Sequence, residues 1–159
     1  ATVHPDKEVV DILKASNVVR SRVRSEMYRS ITSAPDRPME KPSPYVQVNY
    51  MRVPQGKRDD YERIEREVWQ PIHEELVRLE KISGWGLWSL VYPRGDELAY
   101  QYLTLDGVPK FSDLFGLNYS EVFETVHPEM SNQEISEVTN QSRATARTEL
   151  WELIDYVIQ

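Results

Sequence analysis

Glu65, Trp69 and His73 stand four residues apart on what reads as the longest helix of a 159-residue chain. That spacing stacks a carboxyl, an indole and an imidazole along one side of a helix. Together they suit proton transfer on a bound ring. A buried carboxyl has its pKa raised toward the range of a general acid or base. An imidazole accepts a proton, or ligates a metal or a haem iron. The indole is a flat platform. Glu65 lies within the apolar stripe of its helix, where an unpaired carboxylate is costly. An arginine or a tyrosine hydroxyl in reach would make it a packing residue instead. His73 sits at the edge of the stripe, and its structural alternative is a histidine bonded to backbone or water. Trp85, Trp88, Tyr50, Tyr100 and Tyr102 are further candidates for ligand-binding walls and donors. Trp85 and Trp88 are three apart on a strand and so point to opposite faces, which lets at most one of them join Trp69. Tryptophans at such positions also serve as core.

Other chemistries find no residues to carry them. With no cysteine, thiol chemistry and cysteine zinc sites are excluded. Neither His4 nor His127 is spaced as a co-ligand of His73, so no metal is expected. No phosphate-binding glycine loop, dinucleotide fingerprint or serine-nucleophile elbow occurs, and no cofactor is expected. The net charge of −7 argues against nucleic acid or an anionic membrane as partner. Arg20, Arg22, Arg24 and Arg29 form a local basic cluster, read as a solvated face. No run is apolar for long enough to span a bilayer. The chain begins at Ala1, which a cleaved export signal would explain, as would ordinary methionine removal, so the compartment stays open.

The elements that must position these residues follow from pattern. Four prolines between Pro35 and Pro44 read as an extended linker, separating an N-terminal arm, residues 1–34, from a main domain, residues 45–159. Within the arm, Val9, Val10, Ile12 and Leu13 make a short helical stripe. Tyr45–Val53 reads as a strand. Asp59 with Glu62 has the form of a capping box, opening a helix whose stripe is Tyr61, Ile64, Val68, Ile72, Leu76 and Leu79. Pro71 interrupts it, predicting a kink or restart near Gln70. Gly84–Tyr92 and Glu97–Leu105 read as a hairpin about Pro93-Arg94-Gly95-Asp96. A short helix over Asn118–Val126 ends at His127-Pro128. Ser131 with Glu134 opens another helix, through about Ser142. Thr148–Ile158 fits helix or strand. Arg24–Ile31 echoes Arg147–Ile154, with Arg, Glu and Ile repeated in step, which suggests two equivalent elements that pair with sheet edges.

Both faces of the predicted hairpin are mostly apolar. Trp85, Leu87 and Val91 lie on one side of its first strand, and Trp88, Leu90 and Tyr92 on the other. An antiparallel sheet with helices on one side needs a single apolar face. The second face calls for cover, and the same face of another copy supplies it economically.

The order strand–helix–strand–strand–helix–strand is the ferredoxin-like βαββαβ pattern. With Pro54-Gln-Gly-Lys57, Tyr61-Glu-Arg-Ile-Glu65, Val68-Trp-Gln-Pro-Ile-His73, Gly84-Trp-Gly-Leu-Trp88 and Tyr92-Pro-Arg-Gly95, the chain resembles the dimeric α+β barrel superfamily. More narrowly, it resembles a group of uncharacterised bacterial proteins, many of them exported. The resemblance implies an α+β fold whose sheets close into a barrel across a two-fold axis, and a strand at the C-terminus. It also implies a ligand cavity between the sheet and the helices of each subunit. That superfamily includes cofactor-independent monooxygenases, haem-degrading enzymes and stress proteins, so fold alone does not choose among them. The leading expectation is a homodimer binding a small apolar or aromatic molecule, with Glu65 or His73 as proton-transfer group in a monooxygenase-like site. The alternatives are a non-enzymatic interaction or stress-associated dimer, and a haem-binding or haem-degrading protein.

Overall fold

The computed structural model describes residues 9–19, 24–35, 41–95 and 97–156. His4, Arg20, Arg22, residues 36–40 of the proline-rich linker, Asp96 and the last three residues lie outside that description. The architecture is α+β: a five-stranded antiparallel sheet carrying helices on one face. In chain order the elements are α1 (Val9–Val19), β1 (Met27–Ala34), β2 (Tyr45–Arg52), α2 (Arg58–Ile64), a π-helical turn (Glu65–Trp69), α3 (Gln70–Arg78), β3 (Gly84–Tyr92), β4 (Tyr102–Val108), a 3₁₀ turn (Phe111–Phe115), α4 (Tyr119–Val126), α5 (Asn132–Ser142) and β5 (Ala144–Glu152). The strands lie side by side as β1-β3-β4-β2-β5. Among the described residues no helix is long and apolar enough to cross a membrane.

Alternation divides the sheet into two faces. Met51, Trp85, Leu87, Tyr102 and Val108 turn toward the helices and pack with Tyr61, Val68, Ile72 and Leu76. Burying side chains of this size stabilises the fold by roughly 1.5–3 kcal/mol each. Val46, Val48, Tyr50, Trp88, Leu103 and Leu105 lie together on the second face with Tyr28 and Tyr100.

Several local expectations meet their physical reasons here. Ser131 and Glu134 cap α5 reciprocally, hydroxyl to backbone and carboxylate to backbone. Asn118 caps α4, which ends at His127. The Asp59–Glu62 pattern does not form a box: α2 is capped at Lys57 with no side-chain bond, and Glu62 instead accepts the Tyr102 hydroxyl at 2.7 Å. The last strand of the hairpin begins at Tyr102 rather than Glu97. Tyr100 therefore precedes the regular alternation and turns to the second face, opposite to Tyr102. The C-terminal segment is a strand, ending at Glu152.

Pro71 breaks the long helix through a wider turn. Proline has no N–H and crowds the carbonyl four residues back, here that of Glu67. The chain answers with π-type bonding, in which the Gln70 N–H reaches the Glu65 carbonyl. Pro71 then sits in the first turn of α3, where its missing N–H costs nothing.

The repeated segment occupies both edges of the sheet. Leading into β1, Arg24 pairs with Glu26 at 2.6 Å, and Glu26 accepts the hydroxyls of Tyr28 at 2.6 Å and Tyr100 at 2.8 Å. On β5, Arg147 pairs with Glu149 at 3.0 Å. Glu149 accepts the Trp151 indole N–H at 3.0 Å and the Tyr50 hydroxyl at 2.8 Å. Arg-x-Glu-x-aromatic thus folds into the same clasp twice. The two clasps meet at Tyr50 and Tyr100, whose rings pack edge to face at 4.6 Å.

Candidate functional site

Glu65, Trp69 and His73 line one cavity of about 220 Å³ between the helices and the sheet. The π turn supplies Glu65 and Trp69, and α3 supplies His73. The floor is β2 and β4, through Gln47, Asn49, Thr104 and Asp106, with Trp85 from β3. Tyr119 of α4 and Arg143, just past α5, complete the wall.

The irregular turn fixes two histidines. Two carbonyls of the turn accept from side chains: that of Val68 from His127 Nε2 at 3.0 Å, and that of Trp69 from His73 Nδ1 at 2.7 Å. A carbonyl only accepts, so His73 carries a hydrogen on Nδ1. Its Nε2 then lies 3.3 Å from Asp106 Oδ1, a contact that is favourable with a proton between them. The ring stacks on Trp85, centroids 4.7 Å apart and planes 12° from parallel. Asp106 is oriented by Asn49, whose Nδ2–H donates to Oδ2 at 3.0 Å. Thr148 donates in turn to the Asn49 side-chain oxygen at 2.9 Å. The dyad is therefore anchored from both ends.

Glu65 is 1 % exposed, and burial pushes its pKa up against the opposing pull of Arg143 and His73. Arg143 Nε lies 3.0 Å from Glu65 Oε1, yet neither atom completes a hydrogen bond there. The contact is Coulombic without directional alignment. The rest of the Arg143 head is held by Met51 Sδ, 3.1 Å from Nη1, and by the face of Trp69, 5.7 Å from the guanidinium carbon. The Tyr61 hydroxyl, also buried and unbonded, has its pKa raised by burial and then by the Glu65 charge. Burial, and next the charge of Asp106, likewise raise that of Tyr119.

Neither a protein-family model, a curated protein nor a solved structure matches this chain. The reading of the site therefore rests on its own geometry. Of the residues singled out by type and spacing, Glu65, Trp69, His73 and Trp85 come together. Trp88, Tyr50 and Tyr100 do not: they belong to the second face. Tyr102 is on the helix side but packs on Tyr61 at 4.8 Å and lines a different hollow. That hollow is larger, about 560 Å³, but its one charged wall residue among those described, Arg58, is already engaged by Glu62 at 3.2 Å and Ser89 at 3.0 Å.

Spacing arguments missed Asp106, Asn49, Tyr119 and Arg143. Asp106 carries a legible signal, an acid amid Leu103, Leu105, Gly107 and Val108, once β4 is extended past Leu105. Arg143 carries a weaker one, a cation at the C-terminal end of a capped helix.

Proposed function

We propose that this protein binds a small, largely aromatic molecule in the helix–sheet cavity and moves a proton on it. The carrying observation is the cavity itself, in which His73, paired with Asp106, and Glu65, beside Arg143, line space not filled by protein side chains. An apolar cavity of about 150 Å³ takes a benzene ring, so this space suits one ring or two fused rings. Trp69, Trp85 and Tyr119 give it aromatic walls. The chemistry available is abstraction of a proton from an acidic C–H or O–H by the Asp106 carboxylate, with the His73 Nε2–H held against its Oδ1. Arg143 would stabilise the anion that forms. Such an anion is the starting point for oxygenation without a bound cofactor, the monooxygenase-like extension of this reading. Haem ligation draws no support from the geometry, since both His73 nitrogens are engaged.

The strand order β3-β4-β2-β5 supports a ferredoxin-like unit over residues 45–152, with β1 added beside β3. Closure of two such units into a dimeric barrel rests on the second face. Val48, Tyr50, Tyr100 and Leu103 are already buried within one chain, so a dimer would draw on half-exposed Val46, Trp88 and Leu105 and on exposed Trp151. Sedimentation at micromolar concentration is expected to give a dimer, and a monomer there would end this part of the proposal.

One observation favours the non-enzymatic alternative. Glu65 has a fixed cation in contact, as a packed polar seam would. Titration with 2-naphthol, a weak acid of two fused rings whose fluorescence differs between neutral and anionic forms, separates the two. Folded Glu65→Ala and His73→Ala variants are each expected to bind it about tenfold more weakly, the loss of a charge-assisted contact. If both bind as tightly as the unmodified protein, the cavity is a seam and not a site.

A further inference from the structure

Tyr119 lines the helix-side cavity from the first turn of α4. Its ring stands edge-on to Trp69, centroids 6.1 Å apart at 76°, and to His73, 6.3 Å apart at 70°. It packs on Phe123, one turn along the same helix, at 5.9 Å. Phe123 meets Trp69 with a bare phenyl ring at 5.6 Å. Packing in this cluster therefore calls for a ring and not for a hydroxyl.

That hydroxyl also lacks what its counterparts have. Tyr28 and Tyr100 donate to Glu26, Tyr50 to Glu149 and Tyr102 to Glu62. The Tyr61 hydroxyl is unbonded but sealed in the core. Tyr119 donates to none of the described residues, and its hydroxyl is not sealed. Burial, and next the Asp106 charge, keep it protonated. Most other donors of the cavity are committed. Asn49 Nδ2 serves Asp106 at 3.0 Å and Thr104 at 3.3 Å. His73 has both nitrogens engaged, and Arg143 is held by Glu65 and Met51.

A base and a donor at separate positions select one class of acid. A phenol leaves its charge on the atom that lost the proton, so one contact serves both. A carbon acid beside a carbonyl does not: the proton leaves carbon, and the charge collects on an oxygen two bonds away. An aspartate base with a tyrosine donor at that oxygen is an established way to enolise a ketone.

We infer that the substrate class of this cavity is a fused-ring ketone with an acidic C–H beside its carbonyl, enolised between Asp106 and Tyr119. This rests on the reading of the cavity as a proton-transfer site. The C–H bond breaks, its proton passes to the Asp106 carboxylate, and its electron pair forms the C=C bond. The carbonyl π pair moves to oxygen, which accepts the Tyr119 hydroxyl. Return of a proton from Asp106 to carbon restores the ketone, so no oxidant or reductant is consumed.

The test uses 2-tetralone, whose enol carries its oxygen where 2-naphthol carries its hydroxyl. In D₂O the protein is expected to exchange the C1 protons of 2-tetralone for deuterium roughly 10²-fold to 10⁴-fold faster than buffer alone, read by proton NMR. Asp106→Asn should abolish the enhancement. Tyr119→Phe should lower it about a hundredfold, the loss of one donor to a developing oxyanion. The same variant should bind 2-naphthol roughly fivefold to tenfold more weakly, the loss of one hydrogen bond. It should bind naphthalene as tightly as the unmodified protein, since ring and walls remain. If the unmodified protein fails to bind 2-naphthol, the reading of the cavity falls and the enolisation with it. If it binds 2-naphthol but leaves 2-tetralone at the buffer rate, the enolisation alone is overturned. Exchange by Tyr119→Phe at the unmodified rate overturns it as well.

Discussion

Exchanging Arg143 for methionine is expected to cost about 3 kcal/mol of stability near pH ~8 and much less near pH ~4. The sign follows from Glu65. Its pKa in the folded protein is raised above the ordinary 4.5, so the folded state holds this proton to higher pH than the unfolded state does. The corresponding stability is fully present below the unfolded value and is lost as pH rises through the folded one. Arg143 is the strongest influence opposing the rise. Without it the folded pKa climbs further and the loss extends over a wider window above pH 4.5. Methionine keeps much of the packing against Trp69 while removing the charge. Urea denaturation of both proteins across pH reads the difference directly. A penalty that does not change with pH would mean that Arg143 acts through packing alone.

The second large effect is expected at Trp85. It is 5 % exposed, belongs to the main core and stacks on His73. Truncation to alanine should destabilise by about 4 kcal/mol, through lost transfer energy and the space left behind. It should also free the imidazole ring, which Trp85 holds from one side. The readouts are the urea midpoint at constant slope and the sharpness of the His73 ring resonances. A loss below about 1 kcal/mol would show that the indole is not packed as described. The same indole lines the helix-side cavity, so this variant is also expected to weaken binding there.

Much of this frame was legible in the chain. Ser131 with Glu134, the short helix that stops at His127-Pro128 and the Gly84–Tyr92 strand each state their structure through local rules, and each is observed. The echo of Arg24–Ile31 in Arg147–Ile154 pointed to equivalent edge elements, which occupy the two edges of the sheet. Failures came where a tertiary partner outweighed local pattern. Local pattern assigns Glu62 to a cap, but the Tyr102 hydroxyl holds it. Strict alternation back from β4 would put Tyr100 on the face of Tyr102, but the backbone before residue 102 is irregular, and Glu26 and Tyr50 claim the ring. The site divides in the same way. One helix presents Glu65, Trp69 and His73, so spacing found them. Asp106 and Arg143 arrive from 33 and 70 residues beyond His73 along the chain, and no local periodicity links them to it.

The π turn carries a consequence in angular phase. Along an uninterrupted α-helix, eight steps of about 100° leave residues 65 and 73 roughly 80° apart around the axis. A π turn absorbs about one extra residue, setting the helix back by close to one step. Glu65 and His73 then fall roughly 20° apart, nearly in line. Their shared orientation is thus a product of the irregularity forced by Pro71. Restoring regular α-helical winding across residues 65–73 with every residue kept, as exchanging Pro71 for alanine would allow, would turn the carboxyl roughly 80° from the imidazole while leaving every side chain of the site in the sequence.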